Sequence, residues 1–160
     1  MKWIKHNTVL LIMLVALTNM ANADSPLVVR PQTGYGYIDS SHPSSQGSVQ
    51  HFGLRMLFSA GEIKKYGVEA TRFQLKNGKH FSSIGIVIEQ RLWGWFHMSI
   101  GTVGYFNYDT TTKNPAGLMS NLGWEPVAYK NFKPFVTYRN DLIFAEPRAV
   151  VHSLSIGFSF

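Results

Sequence analysis

The last eleven residues of the chain alternate between apolar and small polar side chains. Leu154, Ile156, Phe158 and Phe160 occupy every second position, and serine or glycine lies between them. Successive side chains of a β-strand point to opposite faces, so this period of two predicts a strand with one apolar and one small polar face.

Seven further segments show the same alternation to a greater or lesser degree, and no segment after residue 24 shows the 3.6-residue period of an amphipathic helix. A start near Leu27 remains open for the first strand, although Pro31 argues against it, and the alternation of the third strand is poor. The eight predicted strands are residues 32–39, 48–58, 65–75, 81–91, 95–108, 117–129, 134–144 and 150–160.

The segments between these strands predict an up-and-down order. Segments 40–47, 76–80, 109–116 and 145–148 are polar and rich in turn-forming residues, and they alternate along the chain with 59–64, 92–94 and 130–133. Asn77-Gly78 indicates a tight hairpin, because both residues tolerate positive φ. An even number of strands places both chain ends on the side of the second set of connections.

The composition narrows the classes of function. A chain of 160 residues is expected to form one domain, and the absence of cysteine excludes disulfides and thiol chemistry. Its 15 lysines and arginines against 9 aspartates and glutamates are spread along the chain without a basic run, which argues against nucleic-acid binding. No metal or nucleotide motif is present, so we expect no cofactor and no metal.

The first 23 residues have the pattern of a secretory signal peptide. Lys2 and Lys5 precede an apolar run, and Ala21-Asn22-Ala23 has the form of a cleavage site. We therefore expect residues 1–23 to be removed and residues 24–160 to form the folded domain. The apolar run is shorter than the ~20 residues of a membrane-spanning helix.

The polar face of the predicted strands carries charged residues among glycines and serines. The predicted interior network consists of Arg55, Glu89, Arg91, Glu125 and Arg139. A small eight-stranded barrel has an interior just wide enough for side chains to fill, so these residues are expected to form ion pairs inside it. The apolar face would then contact lipid. The predicted fold is all-β: an eight-stranded antiparallel transmembrane β-barrel with up-and-down topology and a filled polar interior.

With this pattern of strands and faces, the chain resembles the small eight-stranded bacterial outer-membrane β-barrel proteins. The resemblance is in length and in pattern, and it covers nearly the whole predicted domain. The most specific part is the terminal Ile156, Phe158 and Phe160, which is similar to their C-terminal assembly signal. The resemblance implies a monomer in the outer membrane with both termini periplasmic and a structural or interaction role. Its implied partners are outer-membrane lipid, lipopolysaccharide and the barrel-assembly machinery.

Two alternatives to that role remain open at this stage. Some barrels of this size are lipid A deacylases with a His-x-Ser pair and a carboxylate, and His97, Ser99 and Glu89 are the candidates for such an acyl esterase. The asparagine that follows the serine in that motif is absent, because Ile100 stands there. The second alternative is a narrow channel for small solutes, which the small lumen disfavours.

Basic residues fall in the connections expected outside the cell. They are Lys76, Lys79, His80, Lys113 and Arg148. Lipopolysaccharide presents phosphates at that level, and charge-assisted hydrogen bonds from basic side chains to phosphate are strong. We therefore predict a lipopolysaccharide-contacting rim formed by these residues.

Overall fold

A computed structural model describes residues 27–41, 46–108, 113–126 and 132–160, which form eight β-strands. The strands are β1 (Leu27–Ser40), β2 (Gly47–Ser59), β3 (Lys64–Leu75), β4 (His80–Arg91), β5 (Phe96–Phe106), β6 (Ala116–Trp124), β7 (Lys133–Ile143) and β8 (Ala149–Ser159). No helix among the described residues is long and apolar enough to cross a membrane. The predicted signal peptide, residues 1–23, lies outside the described residues.

Each strand pairs antiparallel with the next in sequence, and β8 pairs with β1, so that the sheet closes into a barrel. The prediction of an all-β, eight-stranded, up-and-down barrel is confirmed. The closing seam reaches the last residue, because the backbones of Val29 and Phe160 exchange hydrogen bonds of 3.1 and 3.0 Å. No edge strand is left open, which removes the unpaired backbone groups that an open sheet would present.

The first strand is longer than predicted, because it begins at Leu27 and includes Pro31. Proline lacks a backbone N–H and therefore costs the sheet one hydrogen bond. Here the pairing with β8 continues on both sides of that gap, through Val29–Phe160 and through the Gln32–Gly157 pair. Of the two starts that the sequence left open, the structure has the earlier one, because the flanking pairs maintain the register across Pro31.

The barrel has two different ends. The loop end carries the β1–β2, β3–β4, β5–β6 and β7–β8 connections, and the turn end carries the other three together with Leu27 and Phe160. At the loop end, Gly78 donates to the carbonyl of Leu75 (3.0 Å), and Leu75 donates to that of Lys79 (2.8 Å). This is a three-residue hairpin loop with glycine at the left-handed position, where φ is +84°.

The two faces of the sheet differ as the alternation predicts. On β8, Ser153 and Ser155 point inward and are buried, whereas Leu154 and Ile156 point outward and are 57% and 59% exposed. We call the outward apolar surface the belt. Its exposed members include Phe52, Val68, Ile84, Ile86, Ile88, Ile100, Leu118, Leu122, Leu142, Leu154 and Ile156.

The interior at the loop end is apolar, and this differs from the wholly polar filling predicted. We call this region the cap; it consists of Ile38, Val49, Phe73, Leu75, Phe81, Tyr105, Tyr108, Ile143 and Val151. The rings of Phe73 and Phe81 are stacked with centroids 4.6 Å apart, and Tyr108 meets Phe81 edge-on at 5.0 Å. Inward aromatic side chains near the strand ends thus close the barrel by burying apolar surface.

Candidate functional site

The middle and turn end of the interior contain a chain of alternating charges, which we call the charge ladder. From the turn end toward the cap its members are Glu125, Arg30, Glu89, Arg55, Glu69, Arg139 and Asp141, with Lys65 beside Glu89. The four carboxylates balance the four cations. Such balance is what a buried set of charges requires, because an unpaired charge is costly in a low-dielectric interior.

Arg30 connects the acidic residues at the turn end of the ladder. Its guanidinium donates to Glu89 Oε2 at 2.5 Å, to Glu125 Oε2 at 2.9 Å and to Ser159 Oγ at 3.0 Å. Lys65 Nζ lies 3.8 Å from the other oxygen of Glu89. Arg30 therefore ties β1 to β4, β8 and the segment that follows β6.

Arg139 has the most complete set of partners in the ladder. It donates to both oxygens of Asp141, at 2.5 and 2.7 Å, to Thr71 Oγ1 at 3.1 Å, and to Glu69. The side chains of Arg139 and Asp141 are 1% and 0% exposed. Tyr105 in turn donates to Asp141 Oδ1 at 2.7 Å, so the ladder is hydrogen-bonded to the cap.

Arg55 joins these two parts of the ladder. It donates to Glu69 Oε2 at 2.7 Å, to Ser99 Oγ at 2.9 Å and, at the longer distance of 3.4 Å, to Glu89 Oε2. Because each carboxylate in the middle of the ladder accepts from more than one arginine, removing a single arginine would leave several groups without their partners.

Glycine makes room for the large side chains at the turn end. The imidazole of His97 lies against Gly123, in the space that a side chain at that position would occupy. A Cβ on Gly123 would overlap the ring atoms Nε2 and Cε1. The inward glycines of the sequence therefore serve here to accommodate neighbouring side chains on the adjacent strand.

The structure brings together four of the five residues of the predicted interior network. Arg55, Glu89 and Arg139 are buried in the ladder, and Glu125 lies at its turn end, 20% exposed. The prediction was wrong for Arg91, which is exposed and does not join the interior network. Its side chain donates instead to the carbonyl oxygen of Gly94 at 3.1 Å. It has the inward phase of β4 but lies at the last position of that strand, beyond the buried interior.

Sequence reasoning missed Arg30, Glu69 and Asp141 as members of the network. Arg30 lay before the predicted start of the first strand. Glu69 lies on a strand whose alternation is interrupted by Arg72, which is exposed on the outer face of the barrel. Asp141 shares the inward face of β7 with Arg139. Its position two residues after Arg139 was the signal in the sequence that could have identified it as a member of the network.

The candidate deacylase residues His97, Ser99 and Glu89 all lie inside the barrel and are buried. Ser99 Oγ accepts a hydrogen bond from Arg55, and His97 Nε2 lies 3.9 Å from Glu89 Oε2, which is too far for a hydrogen bond. A nucleophile needs a base within hydrogen-bonding reach and access to its substrate. The arrangement of these three residues instead suits the packing of a polar interior.

The predicted rim residues are all exposed near the loop end. Lys76 and Lys79 belong to the β3–β4 hairpin, and His80 begins β4. Lys113 and Arg148 lie in the β5–β6 and β7–β8 connections. Their side chains therefore line the loop end on several sides.

A cavity of about 370 Å³ opens at the turn end of the barrel. Arg30, Lys65, Glu89 and Glu125 line it, so the outermost part of the ladder is accessible from that end. Beyond the cavity, the interior is occupied by fully buried side chains of the ladder and the cap, including Arg139, Tyr105 and Phe73. The interior is therefore open at one end and packed toward the other.

Comparison with known proteins supports the architecture. The chain matches no protein-family model, and no curated protein is significantly similar to it in sequence. Its structure is similar to the crystal structure of Neisserial surface protein A, with a TM-score of 0.62 and 17% sequence identity over 84% of this chain and 96% of that chain. At this identity the similarity concerns the fold. The chain thus shares the closed barrel fold of that protein.

Proposed function

We propose that this chain is an integral outer-membrane barrel with a structural or interaction role at the cell envelope. The observation that carries the proposal is the belt, an apolar surface around a closed barrel whose ion-paired charge ladder lies inside. Ile86 and Ile100, for example, are 66% and 54% exposed. An extensive apolar surface of this kind is unfavourable in water, whereas the hydrocarbon core of a bilayer accommodates it.

Aromatic residues at both ends of the barrel support the same proposal. Trp93 and Trp95 are exposed at the turn end, and Tyr35 and Tyr37 are exposed toward the loop end. Amphipathic aromatic rings prefer the two interfaces between membrane and water. Within this proposal we expect the loop end to face the exterior and both termini to be periplasmic.

The packed interior favours an anchor over a conducting channel. The ladder fills the middle of the barrel with paired side chains, and the cap closes the loop end with apolar ones. Passage of a solute would have to separate ion pairs and displace packed aromatic rings. The surface, rather than the lumen, is therefore the part that we expect to interact with other molecules.

At the loop end, we expect the basic side chains of the rim to contact the phosphates of lipopolysaccharide. Replacing Lys76, Lys79 and Lys113 together with glutamine should weaken lipopolysaccharide association and reduce its dependence on salt, because fewer phosphate contacts remain to be screened. Binding of purified barrel to lipopolysaccharide at low and high ionic strength measures both. Replacing Lys64 and Lys133, which are exposed at the other end, with glutamine provides the control. Unchanged binding and salt dependence in the triple variant would exclude the rim.

Assembly provides a separate test of the membrane proposal. Phe160 exchanges backbone hydrogen bonds with Val29 and packs against Phe132, with ring centroids 6.3 Å apart. Deleting Phe160 should impair closure and insertion, and should leave a protease-sensitive periplasmic species. Fractionation and the heat-dependent shift in gel mobility measure this. Phe160→Tyr is the matched control, and a truncated barrel that assembles at normal yield would oppose the assigned role.

A further inference from the structure

Six polar side chains form a continuous line across the outer surface of the barrel, and we call this line the polar track. In spatial order they are Lys76, Ser48, Tyr37, His152, Asn140 and Ser120. The backbone N–H of Lys76 donates to the carbonyl of Ser48 at 3.2 Å, and each later member is the cross-strand partner of the one before it. The track thus crosses β2, β1, β8, β7 and β6 in turn.

The track starts at the loop end and runs into the belt. Ser48 is the second residue of β2, next to the β1–β2 connection, whereas Ser120 is the fifth residue of β6. Apolar outward residues flank its inner part: Leu154 on β8, Leu118 on β6 and Leu142 on β7. Polar side chains on a lipid-facing surface are costly and usually mark a function.

His152 is held in a defined orientation within the track. Its Nδ1 lies 2.5 Å from Asn140 Oδ1 and 3.2 Å from the hydroxyl of Tyr138, which is also on the outer surface. A proton on Nδ1, shared with the asparagine oxygen, leaves Nε2 as an acceptor. The asparagine amide and Ser120 add donors close by, so the inner part of the track offers both kinds of hydrogen-bonding group.

The outer part of the track opens into grooves beside the hairpin of β3 and β4. One groove of about 300 Å³ is lined by Tyr35, Ser48, Gln50, Gln74 and Lys76, among others. An adjoining one of about 420 Å³ is lined by Tyr37, Ser48 and Lys76. A cation therefore lies at the rim end, with polar groups extending from it toward the bilayer interior.

We propose that the polar track binds one lipopolysaccharide molecule, which rests on the proposed function because it requires the loop end to face the outer leaflet. A phosphate of the headgroup would pair with Lys76. The amide and ester linkages and hydroxyl groups of the acyl chains would meet Tyr37, His152 and Asn140, while the chains pack on the belt. Five strand spacings of about 4.8 Å give the track a length of about 24 Å, which spans a headgroup and its linkages.

A second copy of this chain fits the track less well than a lipid does. A two-fold interface uses the same patch on both partners and must be complementary to itself. None of the six members of the track is a carboxylate, and the exposed Asp39 on β1 lies outside it, two residues beyond Tyr37. Self-association along the track would therefore bring together unmatched groups. A phosphorylated lipid supplies the missing negative charge at the level where Lys76 lies.

The test compares binding of hexa-acylated lipid A and of phosphatidylglycerol to the folded barrel by native mass spectrometry. The variant is His152→Leu with Asn140→Leu, which removes the polar groups while leaving all five rim residues in place. We expect about a tenfold loss of affinity for lipid A, the effect of one or two hydrogen bonds, and little change for phosphatidylglycerol. The matched control, Ser82→Leu with Thr102→Leu, removes outward polar groups away from the track and should bind as the unmodified protein does.

The heat-dependent shift in gel mobility shows whether each variant folds. We expect all of them to fold, because the introduced leucines add apolar surface where the barrel faces lipid. Unchanged lipid A affinity in the double leucine variant would overturn the proposal, as would an equal loss for both lipids. A dimer of the unmodified protein that the variant abolishes would instead assign the track to a second copy. Failure of the rim is distinguishable, because neutralising Lys76, Lys79 and Lys113 would then leave binding and its salt dependence unchanged, while the leucine variant would still lose affinity.

Discussion

Replacing Arg139 with methionine should lower the free energy of unfolding of the barrel by about 3–5 kcal/mol, the cost typical of breaking a buried ion pair by removing one partner. Methionine retains much of the side-chain length but none of the donors. Glu69 and Thr71 would each lose one hydrogen bond that Arg139 now donates, and Asp141 would lose two. Reversible folding into lipid vesicles as a function of urea concentration measures the change.

The chain supplies a matched control for this experiment. Arg91 has the same inward phase on its strand, but it is exposed and bonds only to the carbonyl of Gly94 among the contacts described. Arg91→Met should therefore change the unfolding free energy little, because solvent compensates for a lost surface contact. Equal losses in the two variants would mean that the ladder is not the energetic centre of the interior.

Replacing Ile86 with arginine should cost about 2–4 kcal/mol if that position lies near the bilayer midplane, because the guanidinium would have to enter hydrocarbon. Ile86 is 66% exposed on β4, and its cross-strand partners Val68 and Thr102 are also on the outer face. The same lipid-folding titration measures the effect. In a water-soluble barrel this exposed position would accept arginine with little change.

Ile86→Leu is the appropriate control, because it preserves the apolar character and the outward position. The inward neighbour Gly85 is unsuitable, because a Cβ there would approach the carbonyl oxygen of Thr102 and Val103 Cγ2. A substitution at Gly85 would test packing rather than the membrane. If Ile86→Arg and Ile86→Leu unfold at the same urea concentration, the belt does not face lipid.

The sequence predicts the architecture of this protein well, because alternation is a local property of each strand. It shows directly that one face of the strand lies inside the barrel and the other lies on its outer surface. β8 illustrates this, since each serine or glycine between Ser153 and Ser159 is buried and the intervening apolar residues are exposed. The predicted ends of β2, β3 and β4 differ from the observed ones by no more than one residue. The fifth and sixth strands end earlier than predicted, at Phe106 and Trp124.

The interior was harder to predict, because it depends on which strands lie opposite each other across the lumen. Arg139 on β7 reaches Glu69 on β3, and Arg30 on β1 reaches Glu89 on β4. These contacts span strands that are not neighbours, so alternation identifies their inward phase but not their partners. The cap was missed for a related reason: Phe73, Phe81 and Tyr105 converge only when the barrel closes.

The polar track depends on register in the same way. His152 and Asn140 are twelve residues apart in sequence and become neighbours through the pairing of β7 with β8. In the sequence, each is one polar residue on an otherwise apolar face. Only the register places them side by side with Tyr37 and Ser120.

The central claim is that the belt lies in the outer membrane with the loop end outside. Site-specific labelling tests this claim most directly. The chain has no cysteine, so single cysteines can be introduced at Lys79, Ile86 and Glu62 and treated with a membrane-impermeant maleimide in intact Gram-negative cells. We predict labelling of Lys79→Cys in intact cells, of Glu62→Cys only after the outer membrane is permeabilised, and of Ile86→Cys only after detergent unfolding. Labelling of Ile86→Cys in intact envelopes as rapid as that of Lys79→Cys would contradict the claim.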